Sequence, residues 1–187
     1  MKIALRVISA LVFAVSATSA FAQDDSTLTA EQLAAKFMAQ QATRGLVIAP
    51  SDGGAAAPAD GATALPADTT YASVDPTAQV NFQIKFAFDS AALAPDEISK
   101  LTTLCEVIKT SDIAQFKIIG HTDSSGKDAY NQSLSLLRAE EVKRRLIEDC
   151  GVPDAKLLAT GVGEAFPLDA ANPKADVNRR VEFQVGS

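Results

Sequence analysis

Tryptophan is missing from this chain of 187 residues, and tyrosine (2), methionine (2), cysteine (2) and histidine (1) are scarce. Large buried surfaces must therefore come from the nine phenylalanines and from aliphatic side chains. A lone His121 gives a hydrolase no partner for a nucleophile, and with the two cysteines it supplies too few ligands for a zinc centre. Neither catalysis nor a cofactor is expected. Long runs of lysine or arginine are also lacking, and the formal net charge is −6, which argues against nucleic acid as a partner. After residue 22 no apolar run is long enough for a membrane-spanning helix, so the mature chain is expected to have no transmembrane segment.

What is present divides the chain. Lys2 gives a small positive start, an apolar stretch follows, and Ala20-Phe21-Ala22 has the small-x-small pattern of a cleavage site, so residues 1–22 read as a removed secretory signal. A retained anchor is the alternative, disfavoured by the short apolar core. No cysteine stands at the cleavage site, so direct lipid anchoring is not expected. Residues 23–50 form an N-terminal segment in which Thr29 is a candidate cap for a short helix, with Leu33 and Phe37 on one face. One such helix cannot fold alone: it packs on the domain, binds an outer-membrane partner, or frays. Residues 51–77, mostly Ala, Gly, Pro, Asp and Thr, read as a linker too poor in large apolar groups to offset the entropy of ordering.

Residues 78–187 carry the domain. Val80, Phe82, Ile84, Phe86 and Phe88 alternate with mostly polar neighbours, predicting a strand with one buried face. Pro95 opens a helix with Ile98, Leu101, Cys105 and Ile108 on one stripe. Phe116 and Ile118 alternate into a second strand. A second helix is expected from near Asn131, with Leu134, Ala139, Val142, Leu146 and Cys150 inward, ending at Gly151 before Pro153. Residues 157–162 and 180–185 supply two more strands, the latter with Val181, Phe183 and Val185 inward. The order β-α-β-α-β-β predicts an α+β two-layer sandwich, a mixed sheet with helices packed on one face.

The most informative stretch is Gly120-His121-Thr122-Asp123, a loop turning at Gly126, then Tyr130-Asn131-Gln132 leading to Arg138. An ionised carboxylate accepts from an ammonium, whereas a planar guanidinium grips a carboxylate with paired bonds, so Asp123 and Arg138 suit the two ends of an amino-acid centre. Together with Asn178-Arg179-Arg180-Val181-Glu182-Phe183, this stretch resembles the OmpA-like peptidoglycan-binding domain of outer-membrane proteins, peptidoglycan-associated lipoproteins and flagellar stator subunits, over residues 80–185.

The resemblance implies binding of peptidoglycan without catalysis, through the meso-diaminopimelate of its stem peptide. Asp123 would receive the ammonium and Arg138 the carboxylate, Asp89 and Ser90 would form the rim, and Arg179 would support Asp123. Each has a plainer alternative: an Asx turn for Asp123, a surface ion pair for Arg138, a turn before Pro95 for Asp89 and Ser90. Asn131 is open between helix cap and ligand contact. His121 is expected to be structural, near the pocket mouth. Cys105 and Cys150 fall on inward faces in a chain expected in the oxidising periplasm, associated with the outer membrane. A bridge between them, or two buried thiols, remain open; a bridge would stabilise by about 3 to 4 kcal/mol on the chain-entropy account. The functional expectation is a peptidoglycan tether. Its alternative is a periplasmic interaction module that uses the N-terminal segment to hold a protein.

Overall fold

The computed structural model describes residues 24–44, 71–86 and 90–186. The expected signal (1–22), most of the expected linker (51–70) and Asp89 lie outside the described residues. In chain order the elements are α1 (Ala30–Arg44), β1 (Val80–Phe82), α2 (Pro95–Ser99), α3 (Thr102–Thr110), β2 (Phe116–Gly120), α4 (Asp128–Glu148), β3 (Leu157–Gly161) and β4 (Val181–Val185). The four strands form one mixed sheet in the order β1-β4-β2-β3. β2 runs parallel to β3 and antiparallel to β4, which pairs antiparallel with β1. This is the expected α+β architecture.

Alternation decides the two faces of the sheet. Phe116 and Ile118 of β2, with Val181, Phe183 and Val185 of β4, join Leu104, Ile108, Val142 and Leu146 in the core beneath the helices. α4 can sit low on the sheet because Gly120 and Gly161 lie side by side under it. A β-carbon on Gly120 would fall 2.0 Å from the Ser135 carbonyl oxygen, and one on Gly161 would fall 2.4 Å from the Leu136 nitrogen. The close approach carries the middle of α4 to the end of β2, where the motif loop begins.

Three expectations change in detail. β1 is only three residues long, because the chain turns at Phe82, where Ile84 N–H donates back to its carbonyl at 3.0 Å. Ile84 is nevertheless buried, and Phe86 makes an isolated bridge with Leu93. The first domain helix is two: α2 ends at Ser99 and α3 starts at Thr102, with Leu101 completely buried at the break. α4 begins at Asp128, so Asn131 lies inside its first turns rather than at a cap.

Of the fates open to α1, the structure adopts packing on the domain. Thr29 and Gln32 exchange side-chain-to-backbone bonds of 3.0 and 3.4 Å, a capping box that starts the helix. Leu33 and Phe37 are fully buried, and the Phe37 ring stands edge-on to Phe116 at 5.0 Å. Gln40 binds the Ala78 and Phe183 carbonyls at 2.9 and 3.2 Å and accepts from Val185 N–H at 2.8 Å. Lys36 pairs with the buried Asp25 at 2.9 Å. The N-terminal helix is thus a wall of the core.

The sheet face away from the helices is buried as well, and polar. Glu182, with no exposed surface, accepts from Gln184 at 2.7 Å and from the Tyr71 hydroxyl at 3.3 Å, and lies 3.2 Å from His121 Nε2. Tyr71 stacks on Phe166 at 4.1 Å, and Gln184 donates to the Ala72 carbonyl at 2.8 Å. The chain is therefore docked from Tyr71 onward, ahead of residue 78, where the sequence reading starts the domain. His121 sits under this cover, not at a pocket mouth, because strand parity turns it to the face opposite the helices.

Burial holds the His121 imidazole below its ordinary pKa, outweighing the opposing pull of Glu182. Below about pH 6.5 the unfolded chain takes up a proton that the folded chain refuses, so stability falls with acidification until the folded value is reached. The urea midpoint of the protein should decline below that pH. His121→Gln should flatten this part of the profile; an unchanged slope would remove His121 as its source.

Cys105 and Cys150 form a disulfide between α3 and the end of α4, closing a separation of 45 residues. Reduction should lower the unfolding free energy by about 3 to 4 kcal/mol, read as a shifted denaturant midpoint. A midpoint indifferent to reductant would show that the bridge adds nothing.

Candidate functional site

Asp123 is placed by the sheet. Beyond β2, His121 N–H bonds to the Arg180 carbonyl at 3.0 Å, Thr122 N–H to Gly163 at 2.9 Å and Ser124 N–H to Pro173 at 3.0 Å. The loop is thereby tied on both sides. Asn131 closes it from α4: its amide donates to the Ser125 carbonyl at 3.1 Å, to that of Asp123 at 3.3 Å, and to the Glu164 carboxylate. These donated bonds shape the loop. Glu164, which no sequence pattern singled out, completes that brace.

Asp123 is buried, and both of its oxygens are engaged. Oδ1 accepts from Ser125 N–H at 2.8 Å and Oδ2 from Arg179 at 2.6 Å. Burial alone would raise its pKa, but the bonds from Arg179 and Ser125 outweigh it and hold the carboxyl below its ordinary value. Lone pairs remain for a further donor. Arg179 also pairs with Asp176 at 2.6 Å, so one guanidinium bridges two acids. Arg180 faces the other way, donating to Asn81 at 2.9 Å.

Arg138 lies on the inner side of α4, its guanidinium 4.8 Å from the centre of the Phe86 ring. Burial and the nearby Arg179 charge pull its pKa below the usual guanidinium range, while Asp123 and Tyr130 act in the opposite sense. Its Nε–H is buried and has no hydrogen-bond partner among the described residues. Arg138 and Arg179 line a hollow of about 280 Å³ together with Gln83, Lys85, Phe86 and Asp176. Three cations and one acid make this hollow receptive to an anion, and Phe86 gives it an apolar wall.

The structure thus gathers Asp123, Arg179 and Arg138 in one neighbourhood: Arg179 lines the hollow with Arg138 and bonds to Asp123, which is not itself among the lining residues. Ser90 is not on that wall; its hydroxyl accepts from Ala92 N–H at 3.0 Å in a local turn. As residues of the site, Phe86, Lys85 and Asp176 escaped the sequence reading. The alternation that marked Phe86 as core was the one available signal, and it pointed to packing rather than to a place beneath an arginine.

Comparison with known proteins gives this arrangement a context. The model of the OmpA family matches residues 85–180. Outer membrane porin F of Pseudomonas fluorescens is 37% identical over 116 residues, covering 61% of this chain and 35% of that protein. The outer-membrane lipoprotein YfiB of Pseudomonas aeruginosa is 33% identical over 105 residues, covering 55% of this chain and 62% of that protein. The chain therefore spans about a third of the porin's length. Among solved structures, the OmpA-like domain of FopA1 from Francisella tularensis aligns with 58% of this chain and 73% of its own, with a TM-score of 0.49 and 25% identity.

Proposed function

Because this chain belongs to the OmpA family, we propose that its domain binds peptidoglycan non-covalently through the meso-diaminopimelate of the stem peptide and so tethers the envelope. Members of the family are structural or binding proteins rather than enzymes. The observation that carries the reading is Arg138, a guanidinium on the wall of a cationic hollow whose buried Nε–H has no hydrogen-bond partner among the described residues. An unpaired buried donor is costly, and a carboxylate entering the hollow relieves it with charge-assisted bonds.

In this reading Arg138 holds the side-chain carboxylate of the diaminopimelate, and Arg179 keeps Asp123 ionised and oriented while the ammonium takes its free lone pairs. Asp89 and Ser90 contribute the rim through backbone groups, and Asn131 acts indirectly by fixing the loop. A lysine-containing stem lacks the second carboxylate, leaves Arg138 unsatisfied and is discriminated against. Residues 1–22 serve as a leader that delivers the chain to the periplasm. No helix among the described residues is long and apolar enough to cross a membrane.

The test is co-sedimentation with purified sacculi. Wild type should pellet with the wall, Asp123→Ala and Arg138→Ala should stay in solution, and prolonged incubation should release no soluble muropeptides. Two variants that pellet as wild type does would put the site elsewhere, and released fragments would make the protein a hydrolase.

A further inference from the structure

Packing α1 on the domain leaves a groove of about 540 Å³ between α1 and α3 that shares no lining residue with the hollow at Arg138. Its floor is apolar, with Phe37 and Ile113 among its lining, and Met38 stands at its lip 67% exposed. Glu31, Glu106 and Asp112 ring it, and no lysine or arginine lines it. An exposed methionine over an apolar floor is an adaptable contact surface, and the surrounding carboxylates select what enters. A second copy of this chain, at net charge −6, would bring acid against acid, as would an anionic lipid surface.

We propose that the groove docks an apolar segment of a protein partner flanked by lysine or arginine. The apolar residues lie against Met38 and the partly buried Ala30 and Ala34, and the flanking cations face Glu31, Glu106 and Asp112. Because the groove and the hollow are separate, one chain can engage a partner and the wall together. Failure of this proposal leaves the wall-binding reading untouched.

The experiment uses the full chain and two labelled synthetic helical peptides with the same leucine face, one flanked by lysines and the other by glutamates, followed by fluorescence anisotropy. The lysine peptide should bind about tenfold more tightly, with the preference shrinking as salt rises. Glu106→Lys combined with Asp112→Lys should reverse the order of the two peptides, and Met38→Asp should weaken both, with unfolding midpoints checked to confirm intact folding. Equal binding of the two peptides, or an unchanged order in the charge-reversed variant, would overturn the proposal. So would dimerisation, or pelleting with anionic vesicles, that Met38→Asp abolishes, since the groove's occupant would then be a second copy or a lipid surface.

Discussion

Phe37→Ala is expected to lower the unfolding free energy by about 3 to 5 kcal/mol, although residue 37 lies ahead of the family-matched region. The ring is completely buried and meets Phe116 of β2 edge-on at 5.0 Å. Its removal deletes that contact and leaves a void that the surroundings fill only in part. The loss should appear as a lower denaturant midpoint at constant slope. A helix serving only a partner, or fraying, would leave the midpoint where it was. The same reasoning forbids treating residues 23–77 as a removable arm: their deletion would strip Leu33, Phe37 and Gln40 from the core and from β4.

Arg138→Ala should weaken binding of a diaminopimelate-containing fragment by roughly 30-fold to several thousand-fold, the range for truncating one partner of a desolvated charge pair. Stability should change far less. The guanidinium is only half-buried and stacks on Phe86 without a salt bridge among the described residues, so the fold does not rely on it. Arg138→Lys retains charge but loses the planar fork, and should recover only part of the affinity. Full affinity in Arg138→Ala would assign the carboxylate to Arg179 or Lys85 instead.

Local periodicity made much of the fold legible. The alternation of Phe116 and Ile118, the stripe Ala139-Val142-Leu146 and the glycine at the end of β2 each point to one local structure, and each is found there. Legibility ended where the outcome depends on residues distant in sequence. Whether α1 packs or frays is decided by Phe116 and by the backbone of β4, far along the chain. The direction of His121 follows from the β2–β4 register, which sets it beside Glu182 and under Tyr71. In the site, residue types pointed to Asp123 and Arg138, but only the fold reveals that Arg179, bonded to the acid, lines the hollow with Arg138. The break at Leu101 was illegible for a different reason: the apolar stripe passes through it unbroken, so periodicity carries no mark of it.

The central claim is that a carboxylate on the stem peptide satisfies Arg138 while Asp123, steadied by Arg179, takes the ammonium beside it. It is tested most directly by NMR titration with two soluble muropeptides that differ only in carrying meso-diaminopimelate or lysine. The account predicts saturable binding of the diaminopimelate form, with perturbed backbone resonances at Asp123, Arg138 and Arg179, and binding of the lysine form weaker by about two orders of magnitude. Equal affinity for the two, or perturbations that bypass these three residues, would contradict it.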